Sequence, residues 1–212
     1  MSDWRRNCEA EPESALYLIS GPTEAVVSRE EMKAHLRVDS DDDNDLIDAM
    51  TEAVTQHLDG RGGQLGRALV DQTWEQRMAW FPRVIRLRLP PLIEVEAIEY
   101  LDSNGARQTF DPAKYLVTGI GDRGRICLAP GECWPALPCD RPESAIVRFR
   151  AGYLDGGVSP PETNVPGPIK AAIKLMTGTL YQNREQVIIG QTAIEMPWAA
   201  EALLWPYRII GA

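Results

Sequence analysis

The spacing of apolar residues changes twice along the chain, and this change most constrains the fold. Leu46, Met50, Val54 and Leu58 recur at helical spacing. From about residue 70 to residue 151, apolar and polar residues largely alternate, and the helical period returns after Pro168. An amphipathic helix needs a period of about 3.6 residues, and a half-buried strand needs a period of two. The chain is therefore predicted to run in the order helices, sheet, helices.

Local signals set the predicted helix boundaries. Ser28 is a good N-cap, Glu31 completes a capping box, and Val27 and Met32 occupy the positions of a hydrophobic staple. These residues predict a helix over 29–37. The apolar stripe that ends before Gly60 predicts a second helix over 42–59. Further helices are predicted at 168–183, where proline takes the first position, and at 198–204.

Short alternating segments fill the middle of the chain. Asp102-Ser-Asn-Gly105 is a strong signal for the tight turn of a hairpin. No helical pattern separates the segments, which favours a compact antiparallel sheet, sandwich or barrel over a parallel sheet. The predicted strands cover residues 73–80, 84–89, 95–101, 108–110, 114–118, 124–128 and 145–151.

The predicted fold class is α+β. Residues 27–60 and 168–204 each present a single apolar stripe, so the N-terminal and C-terminal helices are expected to pack together as a small bundle, with an antiparallel β-rich insert between them. The predicted divisions are a flexible N-terminal arm at 1–15, a helical bundle at 16–66 plus 166–204, a β-rich insert at 67–165, and a C-terminal partner-binding tail at 205–212.

The net charge of -9 is unevenly distributed. Residues 1–60 hold 15 acids and 5 bases, whereas residues 61–160 hold 12 acids and 13 bases. A chain of this kind lacks the concentrated positive field that binds phosphates, so sequence-specific nucleic-acid binding is not expected. No segment approaches the roughly 20 apolar residues of a membrane span, and the N-terminus carries no apolar run of a secretory signal, so no membrane association is expected.

The aspartate run at 39–45 is the strongest candidate for chemistry, and it fits a calcium loop poorly. Asn44 stands where the loop needs glycine, and Met50 stands where it needs glutamate. Acids in the first turn of a helix instead complement its dipole and cap free N–H groups. Both histidines, His35 and His57, lie inside predicted helices, and no nucleophile elbow occurs. We therefore expect no enzyme activity, no cofactor and no metal.

Large apolar side chains crowd the C-terminal end, where chains usually fray. Two interpretations are open: these side chains close the helical bundle, or they anchor the chain in a groove of a partner. The residues concerned are Trp198, Trp205, Tyr207, Ile209 and Ile210.

A set of segments, in order, resembles the head-tail connector (adaptor) proteins of long-tailed phages and of gene transfer agents. The resemblance covers about residues 15–210. Its opening is PTEAVVSREEMKAHLRVD at 22–39, followed by the acidic run and the helix to Gly60. Its β-rich part is RALVDQTW at 67–74, LPPL at 89–92, YLDSNG at 100–105 and AGY at 151–153. Its closing part is PIKAAI at 168–173, YQNRE at 181–185 and ALLWPYR at 202–208.

The resemblance implies a non-enzymatic virion protein that is made in the host cytoplasm and located in the neck between head and tail. Members of the family form a ring, typically dodecameric, beneath the portal protein ring. The ring extends the DNA channel and provides the docking surface for a tail-side neck or stopper protein. The C-terminal segment of the family commonly reaches the portal, and the matching positions are Trp205, Tyr207, Arg208, Ile209 and Ile210.

The acidic run suggests how DNA would pass through such a ring. Fixed cations would hold phosphates, whereas an acidic lumen would let DNA slide without sequence-specific binding. The candidate channel-lining residues are Asp41, Asp42, Asp43 and Asp45. Two other readings of the sequence remain: a free-standing β-sandwich binding module with helical flanks, and a metal-dependent hydrolase that uses the aspartate run.

Overall fold

The computed structural model describes residues 12–22, 24–138, 141–155, 162–183 and 197–209. The helices within these ranges are α1 (Arg29–Leu36), α2 (Asn44–Leu58), α3 (Gly167–Gln182) and α4 (Trp198–Leu204), with 3-10 turns at Pro112–Lys114 and Trp205–Tyr207. The strands are β1 (Ser14–Ser20), β2 (Gln72–Met78), β3 (Val84–Arg86), β4 (Leu92–Leu101), β5 (Arg107–Thr109), β6 (Tyr115–Thr118), β7 (Arg125–Leu128), β8 (Ala145–Ala151), β9 (Leu154–Asp155) and β10 (Glu162–Thr163).

These elements confirm the α+β fold class. The strands form a five-stranded sheet in the order β1-β2-β8-β4-β5, a three-stranded sheet in the order β3-β7-β6, and the pair β10-β9. Every neighbouring pair within these sheets is antiparallel. The chain divides into two compact units: a sheet unit of residues 1–23 and 71–153, and a helical unit of residues 24–70 and 154–212. No helix in the described ranges is long and apolar enough to cross a membrane.

The first helix of the helical unit begins where its capping signal predicts. The backbone N–H of Glu31 donates to the Ser28 hydroxyl at 3.2 Å, and the Glu31 carboxylate accepts from the Ser28 backbone N–H at 3.4 Å. Val27 and Met32, the two residues of the predicted staple, are both buried. The helix ends at Leu36, and the next residue, Arg37, adopts a left-handed conformation with φ of 58°. Local chemistry therefore fixes both ends of α1.

Helix α3 is the centre of the helical unit, because it packs against α1, α2 and α4. Ile47 and Leu58 of α2 and Ile169 and Ile173 of α3 are fully buried. The apolar stripes on the N-terminal and C-terminal helices thus face each other, and the predicted helical bundle is present.

The sheet unit buries a charged residue at its middle. The Glu75 side chain on β2 is only 1% exposed, and it accepts hydrogen bonds from Arg148 at 2.7 Å, Arg107 at 2.7 Å and Arg77 at 2.8 Å. Burial alone would raise the pKa of Glu75, but the hydrogen bonds from the three guanidinium groups outweigh it and lower the pKa to about 2. Glu75 therefore stays ionised and joins three strands of the five-stranded sheet.

The apolar spacing predicts no strand before residue 70, yet β1 pairs with β2 from Ser14 to Ser20. Residues 16–20, predicted as part of the helical bundle, thus lie in the sheet unit, and residues 12–15 are the only described part of the predicted arm. The strand alternates only weakly, being half-buried over its first three residues and exposed over the rest, so its pairing with a strand more than 50 residues away stabilises it. Such a partner cannot be read from a local sequence window.

Candidate functional site

The described C-terminal segment presents two different faces. Ala200 and Leu204 on one side of α4 are buried in the helical unit. Trp198 is 83% exposed and Trp205 is 62% exposed. These two tryptophans are seven residues apart, which is two helical turns, so they lie on the same side of the helix. Small and aliphatic side chains of α4 thus close the bundle, whereas the two tryptophans face outward. Anchoring in a partner stays a prediction.

The chain after α4 is held by its own helical unit. The backbone N–H of Ile209 donates to the carbonyl of Leu65 at 3.0 Å, and the Arg208 N–H donates to the Trp205 carbonyl at 3.3 Å. The Arg208 guanidinium lies 6.0 Å from the centre of the Trp205 ring. Ile210 lies outside the described residues. Trp205, Tyr207, Arg208 and Ile209 therefore form an ordered surface, which we call the tail surface.

The loop that accepts Ile209 is itself tied to the end of α2. The Leu65 N–H donates to the Leu58 carbonyl at 3.2 Å, and the Gly60 N–H donates to the Arg67 carbonyl at 2.8 Å. The Asp59 carboxylate accepts from the Leu69 N–H at 2.7 Å. The loop at 59–69 thus holds the tail surface in a fixed position. In the sequence, the glycines of this loop were its only signal.

The four aspartates of the acidic segment before α2 lie in different environments. Asp41 accepts from the Lys33 ammonium at 2.7 Å and from the Asn44 amide at 3.2 Å. The hydrogen bond from Lys33, followed by that from Asn44, lowers the pKa of Asp41. Asp42 and Asp45 are exposed. Asp41 is exposed as well, with its side chain 86% accessible, so three of the four carboxylates face solvent and only Asp43 is half-buried.

Asp43 departs from the expected capping role. It occupies the N-cap position of α2, but its side chain makes no capping hydrogen bond. Its carboxylate instead accepts from the Tyr181 hydroxyl of α3 at 2.5 Å. Asp43 therefore joins the start of α2 to the end of α3, and the sequence could not show this because the two residues are 138 positions apart.

We predict that Tyr181→Phe lowers the free energy of unfolding by about 1 to 2 kcal/mol. The substitution keeps the ring but removes a hydrogen bond to a charged acceptor, a contact of about that size. Urea unfolding followed by far-UV circular dichroism measures the change. Tyr207→Phe is the matched control in the same unit, since no hydrogen bond of its hydroxyl is seen in the described ranges, and it should change stability by less than about 0.5 kcal/mol. Equal stability of both variants and the wild type would show that the Tyr181 contact is not stabilising.

The described residues show no metal centre. No group of three or more histidine, cysteine, aspartate or glutamate side chains within them is arranged to hold a metal ion. Asp41 and Asp43, two members of the aspartate run, are directed to Lys33 and Tyr181 respectively. The described residues therefore provide no observation in favour of the hypothesis that the chain is a metal-dependent hydrolase.

No family model and no curated protein matches the chain. Solved structures do match. A chain of the neck of an empty gene transfer agent particle computed with C6 symmetry aligns with a TM-score of 0.69. A chain of the virion of a native gene transfer agent particle aligns with a TM-score of 0.68, and one of the neck of a native particle computed with C12 symmetry aligns with 0.62.

All three alignments have 19% sequence identity and cover 93% of this chain and 98% of the other. At this identity the comparison shows a shared fold and does not assign roles to individual residues. The chain therefore has, over nearly its whole length, the same fold as a protein chain of gene transfer agent particles.

Proposed function

We propose that the chain is a structural head-tail connector (adaptor) of a tailed virion or a gene transfer agent. It forms a ring beneath the portal, extends the DNA channel and provides the docking surface for a tail-side neck or stopper protein. The observation that carries the proposal is the alignment with neck structures, which covers 93% of this chain and 98% of the other. The resemblance of the sequence segments over residues 15–210 supports it independently. The role is non-enzymatic, and the site of action is the neck of the particle.

The tail surface is the proposed contact with the portal. Trp205 offers a large exposed apolar area, and tryptophan is the residue type most enriched at the energetic centres of interfaces. The hydrogen bond from Ile209 to Leu65 holds the segment in place before binding, which reduces the entropy lost on association. Ile210, outside the described residues, belongs to the same proposed contact.

The acidic segment is the proposed lining of the channel, and Asp41, Asp42 and Asp45 are its exposed members. Asp41 and Asp43 contribute charge but are held by Lys33 and Tyr181. An acidic wall repels phosphates, so DNA would pass without being held. A reconstruction of the ring that placed Asp42 and Asp45 on the outer wall, away from DNA, would contradict this part of the proposal.

Co-assembly with the portal tests the proposed function. The full chain should bind the portal ring, and a chain truncated after Leu204 should bind at least about tenfold more weakly, since removal of a central interface residue typically costs more than 1 kcal/mol. Truncation also removes the Ile209 hydrogen bond, so Trp205→Ala provides a second variant with the backbone intact. Trp80→Ala is its matched control, because Trp80 is also exposed but lies in the sheet unit.

Pull-down or mass photometry with purified portal rings gives the readout. The proposal requires weak binding by Trp205→Ala and unchanged binding by Trp80→Ala. Equal binding by the full chain, the truncated chain and Trp205→Ala would overturn the portal contact. Failure of the full chain to bind any portal ring would overturn the connector function itself.

A further inference from the structure

The edges of the two larger sheets differ in charge. The five-stranded sheet ends in β1 and β5, and the three-stranded sheet ends in β3 and β6. Arg107 lies on β5 and Arg86 lies on β3, whereas the sequences of β1 (SALYLIS) and β6 (YLVT) contain no charged residue. Charged residues on an edge strand discourage pairing with another chain. Two of the four edges are thus protected by charge, and two are not.

The exposed apolar side chains of the sheet unit lie mostly at the uncharged edges. In the described part of this unit, six large apolar side chains are exposed, and four of them lie on β1 or β6. A fifth, Ile120, lies in the turn after β6, where the backbone bridges to Leu92 of β4. The sixth is Trp80. The four on the edge strands are Tyr17 at 40%, Leu18 at 51%, Ile19 at 48% and Leu116 at 54% exposure. Exposed apolar groups and unprotected backbone thus coincide, which is typical of a surface that another strand covers.

The two edges are also similar in usable length. The pairing of β1 with β2 is regular from Ser14 to Leu18 and shifts register at Ile19. The pairing of β6 with β7 is regular over its four residues, Tyr115–Thr118. Each edge therefore offers a straight run of four or five residues before the register changes or the strand ends.

We propose that β1 of one copy pairs with β6 of the next copy when the chain assembles into a ring. This inference rests on the proposed connector function. Two different edges of the same unit form a head-to-tail contact, and a head-to-tail contact that closes gives a ring. The similar neck chains come from structures computed with C6 and C12 symmetry, in which copies are related by rotation about one axis. Pairing would cover Leu18 and Leu116 together and supply partners for the outer backbone groups of both edges, which pair with no strand in the described ranges.

Charge substitution at the two edges tests the contact. Leu18→Lys and Leu116→Lys should each reduce ring formation on the portal at least about tenfold, because each places a charge in an apolar strand pairing. The double variant Leu18→Lys with Leu116→Glu should recover most of the loss, since opposite charges on paired strands attract. Trp80→Lys is the control at an exposed apolar position outside both edges, and it should form rings like the wild type.

Native mass spectrometry of portal complexes counts the bound copies, and circular dichroism confirms that each variant is folded. If the wild type forms a ring and Leu18→Lys forms it equally well, the edge contact is overturned while the connector function stands. If Leu18→Lys blocks the ring but the double variant does not restore it, the assigned partner strand β6 is overturned. If the wild-type chain forms closed dimers through β1 and β1, the inference is overturned. If the wild-type chain forms no ring at all, both the inference and the connector function are overturned.

Discussion

Replacing Glu75 by glutamine is expected to lower the free energy of unfolding by about 3 kcal/mol near neutral pH. The carboxylate is 1% exposed and accepts from Arg77, Arg107 and Arg148, so the neutral amide removes the buried charge that the three guanidinium groups share. Arg107 and Arg77 keep their contacts with Glu99 and Glu143 respectively. Glu94→Gln is the matched control. Glu94 also pairs with an arginine, Arg150, but its side chain is 53% exposed, so its loss should cost less than about 1 kcal/mol.

The effect of Glu75→Gln should depend on pH in one direction. The folded-state pKa of Glu75 is about 2 and lies below the ordinary value of 4.5. The carboxylate therefore stabilises the fold fully above about pH 4.5, and this contribution is lost as the pH falls toward 2. A shift of that size corresponds to about 3 kcal/mol. Urea unfolding of the wild type and of Glu75→Gln from pH 7 to pH 2.5 should show that the difference in their free energies of unfolding shrinks. A constant difference would contradict the low pKa of Glu75.

Substitution of Gly63 by alanine is expected to destabilise the helical unit by about 2 to 3 kcal/mol. A Cβ atom at Gly63 would lie 2.1 Å from the Asp59 carbonyl oxygen and 2.5 Å from that of Leu58, so the backbone at the end of α2 must move. The same movement would displace Leu65, whose carbonyl accepts from Ile209. Gly63→Ala should therefore also weaken portal binding through the tail surface.

The adjacent glycine provides a close control for this prediction. A Cβ atom at Gly62 meets no atom within 4 Å. Gly62→Ala should change the free energy of unfolding by less than about 0.5 kcal/mol. Chemical denaturation and differential scanning calorimetry of the two single variants give the comparison. Equal stability of Gly62→Ala and Gly63→Ala would contradict the tight packing of the loop at 59–69 against the end of α2.

Local signals were sufficient to predict the helices. The capping box of Ser28 and Glu31 and the buried staple of Val27 and Met32 involve residues within one helical turn or so of one another. The return of helical spacing after Pro168 similarly predicts α3, which starts one residue earlier at Gly167. Such features depend on the backbone of a few consecutive residues, so a sequence window contains all the information they require.

The features that the sequence did not predict depend on distant partners. Strand β1 exists because it pairs with β2, and Glu75 is buried because Arg107 and Arg148 reach it from other strands. The Asp43 carboxylate accepts a hydrogen bond from Tyr181 of α3 and makes no capping hydrogen bond at the start of α2. In each case the residue type was compatible with several local roles, and only the tertiary pairing selected one of them.

At the C-terminal end, the sequence indicated an anchored segment, and its role as a partner-binding site stays a prediction. The crowding of Trp205, Tyr207 and Ile209 correctly marked this end as more than a fraying terminus. The sequence did not show that Trp198 and Trp205 face outward while Leu204 is buried, since all three are apolar. Their division between core and surface depends on which side of α4 meets α3.

The most direct test of the connector function is the mass of the complex that the full chain forms with a purified portal ring. Native mass spectrometry should show a single complex whose added mass is a whole-number multiple of 23.6 kDa, with enough copies to close a ring. A portal ring that gains no mass, or that gains a variable number of copies without a preferred closed state, would contradict it.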